Sequence, residues 1–232
     1  MISQIQHHPS TKLIEQFYRG ELEPGISVAI SAHLELCSCC KATSGFIIDQ
    51  ATAEWSDASE GHDFNGVEAL EVDDILDSIL SQPQQVIKQV EKVASQKIHL
   101  LQHSVPVPDI LAKVAGEQLV WKKLPGGINH APMALDRNAQ CEFLYMKPGS
   151  LIPQHKHQGM EITLVLDGSF KDDRGDYYPG DFIVRTGEDS HSATSDDGCL
   201  CFTVLDSPVI FTSGFARFFN PINRYLFNRV MK

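Results

Sequence analysis

The stretch GSLIPQHKHQGMEITLVLDG, residues 149–168, constrains this chain more than any other. It spaces Gly149, His155, His157, Glu161 and Gly168 so that, on a strand, His155 and His157 point to one face while Glu161 joins them from the adjoining stretch. Asp167-Gly168 is a hairpin-turn dipeptide, which predicts that the chain doubles back at the end of this run. His191 follows after PGDFIVRTGEDSH. Three imidazoles and one carboxylate make a donor set that suits Zn, Fe, Mn, Ni or Cu, and ligand type alone does not choose among them.

The surrounding pattern is β throughout. CEFLYMKPGS, EITLVLDGSF, DFIVRTG and LCFTVLDSPVI are short β-rich runs bounded by Gly, Pro and Asp. Many short strands with regular turns predict an all-β sandwich or barrel from about residue 111 onward.

The first 80 or so residues have a different period. STKLIEQFYRG offers Ser10 or Thr11 as N-cap, apolar Leu13, Ile14 and Phe17, and Gly20 as a stop. PGISVAISAHLELC follows, with Ile26, Ala29, Ile30, His33 and Cys37 at three- and four-residue spacing. A third helix is expected from about Cys39 to Ala53, and a fourth over residues 67–81 through Leu70, Ile75, Leu76, Ile79 and Leu80. Between the two halves, QPQQVIKQVEKVASQK is polar and HSVPVPD is broken by prolines, which marks a boundary. The expected division is therefore 1–85 helical, 86–110 linker and 111–232 β. Four short helices have little core to spare, so an extra staple is expected in the first part.

His33-x3-Cys37-x2-Cys40 supplies a candidate. At i, i+4 and i+7 the three residues share one helical stripe, whereas Cys39 falls off it and reads as packing. Zinc takes thiolates and imidazole tetrahedrally and needs a fourth ligand, which His7 or His8 can provide from just before the first helix. A redox dithiol would require a preceding strand in a βαβ context, and the flanking pattern is helical. Simple packing of the three side chains is the remaining alternative.

Composition narrows the setting. The six cysteines, at 37, 39, 40, 141, 199 and 201, cluster instead of spreading as staples, which favours metal binding in a reducing compartment over a disulfide framework. No apolar run approaches the roughly 18–20 residues that span a bilayer, and no secretory leader is visible, so a cytoplasmic protein without a membrane partner is expected. Net charge is −11, and residues 1–100 hold 6 Lys and Arg against 15 Asp and Glu. Direct nucleic-acid binding by that half is disfavoured, because phosphate contacts need positive charge; a basic protein partner is favoured. Cys199 and Cys201, two apart on a strand, share a face and read either as buried structural thiols or as a redox sensor.

The 149–168 segment matches the cupin motif G-x5-H-x-H-x3-E-x6-G. The second cupin motif, G-x5-P-x-G-x2-H-x3-N, is kept at Gly180 and His191, while Thr186, Glu188 and Ser195 replace its Pro, Gly and Asn. The helical H-x3-C-x2-C segment resembles the zinc-binding anti-sigma domain, and its pairing with a C-terminal cupin resembles the ChrR family of anti-sigma factors. This resemblance implies a two-domain α + β protein with a small four-helix zinc-binding bundle followed by a cupin-like β-barrel. It maps zinc ligands onto His8, His33, Cys37 and Cys40, and cupin ligands onto His155, His157, Glu161 and His191, with a second divalent metal, zinc by preference, in the cupin. It further implies inhibition of an extracytoplasmic-function sigma factor through the N-terminal domain, and release under oxidative stress such as singlet oxygen. Helix 67–81 is an expected part of that contact. The rival function is a cupin dioxygenase or isomerase with an N-terminal zinc regulatory module; an adaptor for some other basic protein is a third.

Overall fold

Ser10 opens the first helix, α1 (Thr11–Tyr18), by accepting the Leu13 N–H on its Oγ at 3.2 Å, and Gly20 at φ +68° turns the chain away after it. The computed structural model describes residues 5–59, 77–78, 80–82, 97–100, 103–116, 119–187, 190–221 and 227. Helix α2 (Pro24–Leu36) begins on Pro24, whose missing N–H costs nothing in the first turn, and buries Ile26, Ala29, Ile30 and His33 on one stripe. A break at Cys37, extended at φ −111° and ψ 104°, separates it from α3 (Ser38–Ser59), which runs further than the expected 39–53. Residues 67–76 and 79 of the expected fourth helix lie outside the described residues, whereas 77–78 and 80 are helical.

Two compact units emerge, one of residues 1–44 with 95–232 and one of residues 45–94. Within the first unit, part of the stretch expected to be a linker is ordered. Strands β1 (Lys97–Leu100) and β2 (His103–Pro106) pair antiparallel, and helix α4 (Asp109–Ala115) follows at once. Alternation along the hairpin buries Ile98, Leu100 and Val105, with Val107 just after it. The Glu35 carboxylate of α2 accepts the Asp109 and Ile110 N–H groups at 2.7 and 3.2 Å, satisfying donors that the start of α4 leaves free.

The β region forms two sheets. Strands β3 (Lys122–Leu124), β4 (Ile128–Met133), β5 (Gln140–Met146), β7 (Met160–Gly168), β10 (Phe182–Thr186) and β12 (Cys199–Leu205) assemble in the order β10-β7-β12-β5-β4-β3. The second sheet takes β6 (Ser150–Lys156), β8 (Phe170–Asp172), β9 (Gly175–Tyr177), β11 (His191–Ser195) and β13 (Ile210–Phe211) in the order β13-β6-β11-β8-β9. Among the described residues no ladder joins an edge of one sheet to an edge of the other, so this is a cupin-like β-sandwich and not a closed barrel. Asp167-Gly168 also departs from expectation. β7 pairs with β10 and β12, and β8 with β9 and β11, so the chain crosses between sheets there instead of making a hairpin. Gly168, at φ +70°, lies so close to the Gly198 carbonyl that no side chain fits.

β12 explains how the helical part is held. All seven of its residues are buried. Cys199 and Cys201 face a cluster between the sheets with Met146, Val165 and Ile183. Leu200, Phe202 and Val204 face a second cluster shared with Ile26, Ala29 and Ile30 of α2, the β1–β2 hairpin, and Leu111 of α4. A strand covered on both faces reads as an unbroken apolar run. Helix α2 thus buries its apolar stripe on the six-stranded sheet, in place of the helix-only core expected of a small bundle. Gly25 makes the approach possible, since a Cβ there would stand 2.5 Å from Cys141 Sγ.

Candidate metal centres

The first cluster is built where α2 ends. His33 sits on the last turn of α2, Cys37 in the break and Cys40 in the first turn of α3. The three therefore span two helices, not the single stripe expected. His8 arrives from the arm preceding α1, with Nδ1 3.5 Å from Cys37 Sγ and 3.3 Å from Cys40 Sγ. One ligand atom from each of the four residues lies within 4.8 Å of all the others. Cys37 Sγ also accepts the Cys40 N–H at 3.5 Å, so its sulfur caps the start of α3. Cys39 is off the cluster, and it is exposed where packing was expected.

His33 tests whether these residues fit a cation. Its ring is fully buried, and burial, the largest influence, lowers its pKa to about 4, so it is neutral. Nδ1 lies 2.9 Å from the Gly180 carbonyl, which can only accept, so Nδ1 carries the proton. Nε2 is left bearing a lone pair, buried and without a hydrogen-bond partner. A buried, unpaired acceptor is costly unless something binds it. Burial meanwhile pushes the Cys40 thiol up to about 12, with the neighbouring Cys37 adding to it. A bound cation reverses that preference, because it takes the thiolate. The four residues fit a soft, tetrahedral ion.

The second cluster lies inside the sandwich. β6 and β11 place His155 directly opposite His191, with ring centroids 4.3 Å apart. His157 follows β6, and Glu161 enters from β7 in the other sheet. Ligand atoms of all four lie within 4.8 Å of one another. Glu161 Oε2 is 2.9 Å from His157 Nε2 and 3.8 Å from His191 Nε2. His157 Nε2 is nonetheless buried with no hydrogen bond of acceptable geometry, an arrangement that a shared cation would satisfy. His155 Nδ1 donates to the Pro153 carbonyl at 2.8 Å, which turns its Nε2 lone pair toward the cluster. Burial first, then His191, lowers the His155 pKa to about 4, and burial lowers that of His191. Burial would raise the Glu161 pKa, but the surrounding histidines, His157 foremost, outweigh it and keep the carboxylate ionised. Three imidazoles and one carboxylate could hold a divalent ion.

A cavity of about 40 Å³ adjoins this cluster, lined by His155, Glu161, His191, Cys201, Asp172 and Arg185. Arg185 Nη2 reaches both the Asp172 carboxylate and the Tyr177 hydroxyl. The sequence pattern did not single out this buried trio, because ion pairs carry no spacing signature. Cys199 and Cys201 do share a face, with sulfurs 3.4 Å apart, but both are buried. The hydrogen bond to Cys199, then burial, holds the Cys201 thiol well above the usual range, unlike an exposed sensor thiolate. Gly180 and Asp181, against which the arm lies, were equally invisible as neighbours of the first cluster.

The chain has relatives among known proteins. Residues 111–207 match the ChrR cupin-like domain. The anti-sigma-E factor ChrR of Cereibacter sphaeroides is 27% identical over 222 residues, covering 95% of this chain and 99% of that protein. A chain of the crystal structure of Rhodobacter sphaeroides SigE in complex with the anti-sigma ChrR aligns with a TM-score of 0.64 at 26% identity, covering 87% of this chain and 99% of that one. The chain therefore resembles the ChrR anti-sigma factors over nearly its whole length, and its residues 111–207 match the ChrR cupin-like domain.

Proposed function

We propose that this protein is a cytoplasmic anti-sigma factor that binds and inhibits an extracytoplasmic-function sigma factor. The observation that carries the proposal is the similarity to an anti-sigma factor across 95% of the chain, together with the structural likeness to a SigE–ChrR complex. Both clusters of potential ligands support it: His8, His33, Cys37 and Cys40 as a zinc site, and His155, His157, Glu161 and His191 as a second divalent site, zinc by preference.

In this reading residues 1–85 are the sigma-binding module, completed by a fourth helix over 67–81, with 86–110 as connection and 111–232 as sensor. The acidic balance of residues 1–100 suits a DNA-binding partner with basic faces, and makes nucleic acid itself a poor ligand. Among the described residues no helix is long and apolar enough to cross a membrane. An oxidative signal such as singlet oxygen would act at the cupin site. The core shared by α2 and the six-stranded sheet supports transmission from there to the helices. The regulator is preferred to a cupin metalloenzyme because the similarity covers the helical part as well as the sandwich.

When loaded, the first site would supply folding free energy to the α2–α3 junction, and the second would offer a redox- or ligand-responsive centre. The chain's own part is to hold His33 and His155 neutral with one nitrogen turned inward, and to keep Glu161 charged.

The test is co-expression with the extracytoplasmic-function sigma factor encoded nearest to it, followed by gel filtration and an in vitro transcription assay. A stable complex that blocks sigma-dependent transcription is expected. Failure to form one with purified, metal-loaded protein would overturn the proposal.

A further inference from the structure

We propose that Asp181 is the positioning residue of the His8, His33, Cys37 and Cys40 site, holding the arm that carries His8 against the sandwich; this rests on reading that cluster as a zinc site. Asp181 is only 1% exposed and immediately precedes β10. Its Oδ1 accepts the Gln6 N–H at 2.8 Å and the His7 N–H at 3.0 Å. Its Oδ2 accepts the Tyr178 N–H at 2.9 Å and lies 3.5 Å from His7 Nδ1. The His7 carbonyl in turn accepts the Phe182 N–H at 2.9 Å. The two residues before His8 are thus gripped at three backbone points by one short stretch of the cupin, more than 170 positions away.

His8 needs such a grip. It is exposed, on a segment outside any helix or strand. Ordering the backbone of such an arm costs conformational entropy at every residue. Asp181 brings that order about before a metal arrives. Its neighbour Gly180 does the same for a second ligand, since its carbonyl fixes the His33 tautomer. Gly180 also admits the arm directly: at φ +94° it lies beneath Ile5, and a Cβ there would run into the Ile5 side chain. Cys37 and Cys40 are set by the α2–α3 junction, whereas His8 and His33 are set by the Gly180-Asp181 dipeptide of the cupin. The site is composite, and its geometry depends on the β9–β10 turn.

The experiment uses the full-length zinc protein and the variants Asp181→Ala and Asp181→Asn. Zinc affinity is measured by competition with a chromogenic chelator, and coordination by the ligand-field and thiolate-to-metal bands of the cobalt(II) form. Asp181→Ala is expected to weaken zinc at the thiolate site by about 10–100-fold, the usual cost of losing an outer partner of a ligand. Its cobalt bands should weaken as water replaces His8. Asp181→Asn keeps one oxygen for the arm but loses the acceptor for Tyr178, and should fall between wild type and alanine. Metal at the His155 site should be retained in both. Wild-type affinity and spectrum in Asp181→Ala would overturn the proposal. If that variant does not fold, wild-type affinity in Asp181→Asn would overturn it instead. A wild-type protein lacking thiolate-bound metal would refute the zinc reading itself, a separate result.

Discussion

His33 Nδ1 donates to the Gly180 carbonyl at 2.9 Å, joining the last turn of α2 to the β9–β10 turn of the sandwich. Through this bond, and through the core that α2 shares with β12, residues 1–44 fold as part of the β unit. Metal at the first cluster is therefore expected to tighten a junction within a folded unit, not to create a separate domain.

Cys37→Ser, or treatment with a strong chelator, should accordingly remove one metal per chain and lower the unfolding temperature without abolishing the sandwich. Structural zinc contributes on the order of 10 kcal/mol in small modules that have no other core; a smaller effect is expected here because α2 keeps its apolar contacts. Metal analysis with far-UV circular dichroism checks this. Unchanged helix content and unfolding temperature after complete zinc removal would refute it.

His191→Ala should empty the second site while leaving the thiolate site loaded. His191 faces His155 across the β6–β11 pair, and its loss removes one of only four ligands. The affinity loss should exceed the roughly 10–100-fold typical of an outer partner. Elemental analysis of the variant would show one metal where wild type shows two.

Gly25→Ala should lower stability by about 1–3 kcal/mol, the cost of overpacking, or roughly 2–10 °C in a chain of this size. The added methyl meets Cys141 Sγ at 2.5 Å and Val204 Cγ1 at 3.1 Å. Gly45→Ala on α3, where nothing lies within 4 Å, is the control. It should gain about 0.5–1 kcal/mol from helix propensity. Thermal unfolding of the pair reads both signs at once.

Arg185→Met should cost about 3–5 kcal/mol, because it strips the partner from a buried carboxylate. Asp172 and Arg185 are 2% and 7% exposed. Lys171→Ala, which breaks the exposed pair with Asp196, should leave denaturant unfolding unchanged within error. Equal effects from the two variants would contradict the assignment of the first pair as buried.

Local pattern alone determined a good deal. The cap at Ser10, the helix start at Pro24, the spacing of Ile26, Ala29, Ile30 and His33, and the strands around residues 141–205 are all set by neighbours in sequence. The structure also brings together the eight residues that spacing and family resemblance named, although spacing alone left His7 and His8 as alternatives. Contacts between distant segments decided the rest. Asp167-Gly168 has hairpin chemistry, yet β7 found partners in one sheet and β8 in the other. Residues 97–110 look like a linker because their four apolar anchors are interrupted by prolines, and only the sheet beneath them makes burial worthwhile. His33, Cys37 and Cys40 look like one stripe until Cys37 breaks the helix. Gly180 and Asp181 became neighbours of His8 and His33 only when α2 settled on the sandwich. Periodicity records which face of an element is buried; it holds no record of what buries it, and for this chain that choice places both ligand clusters in a single folded unit.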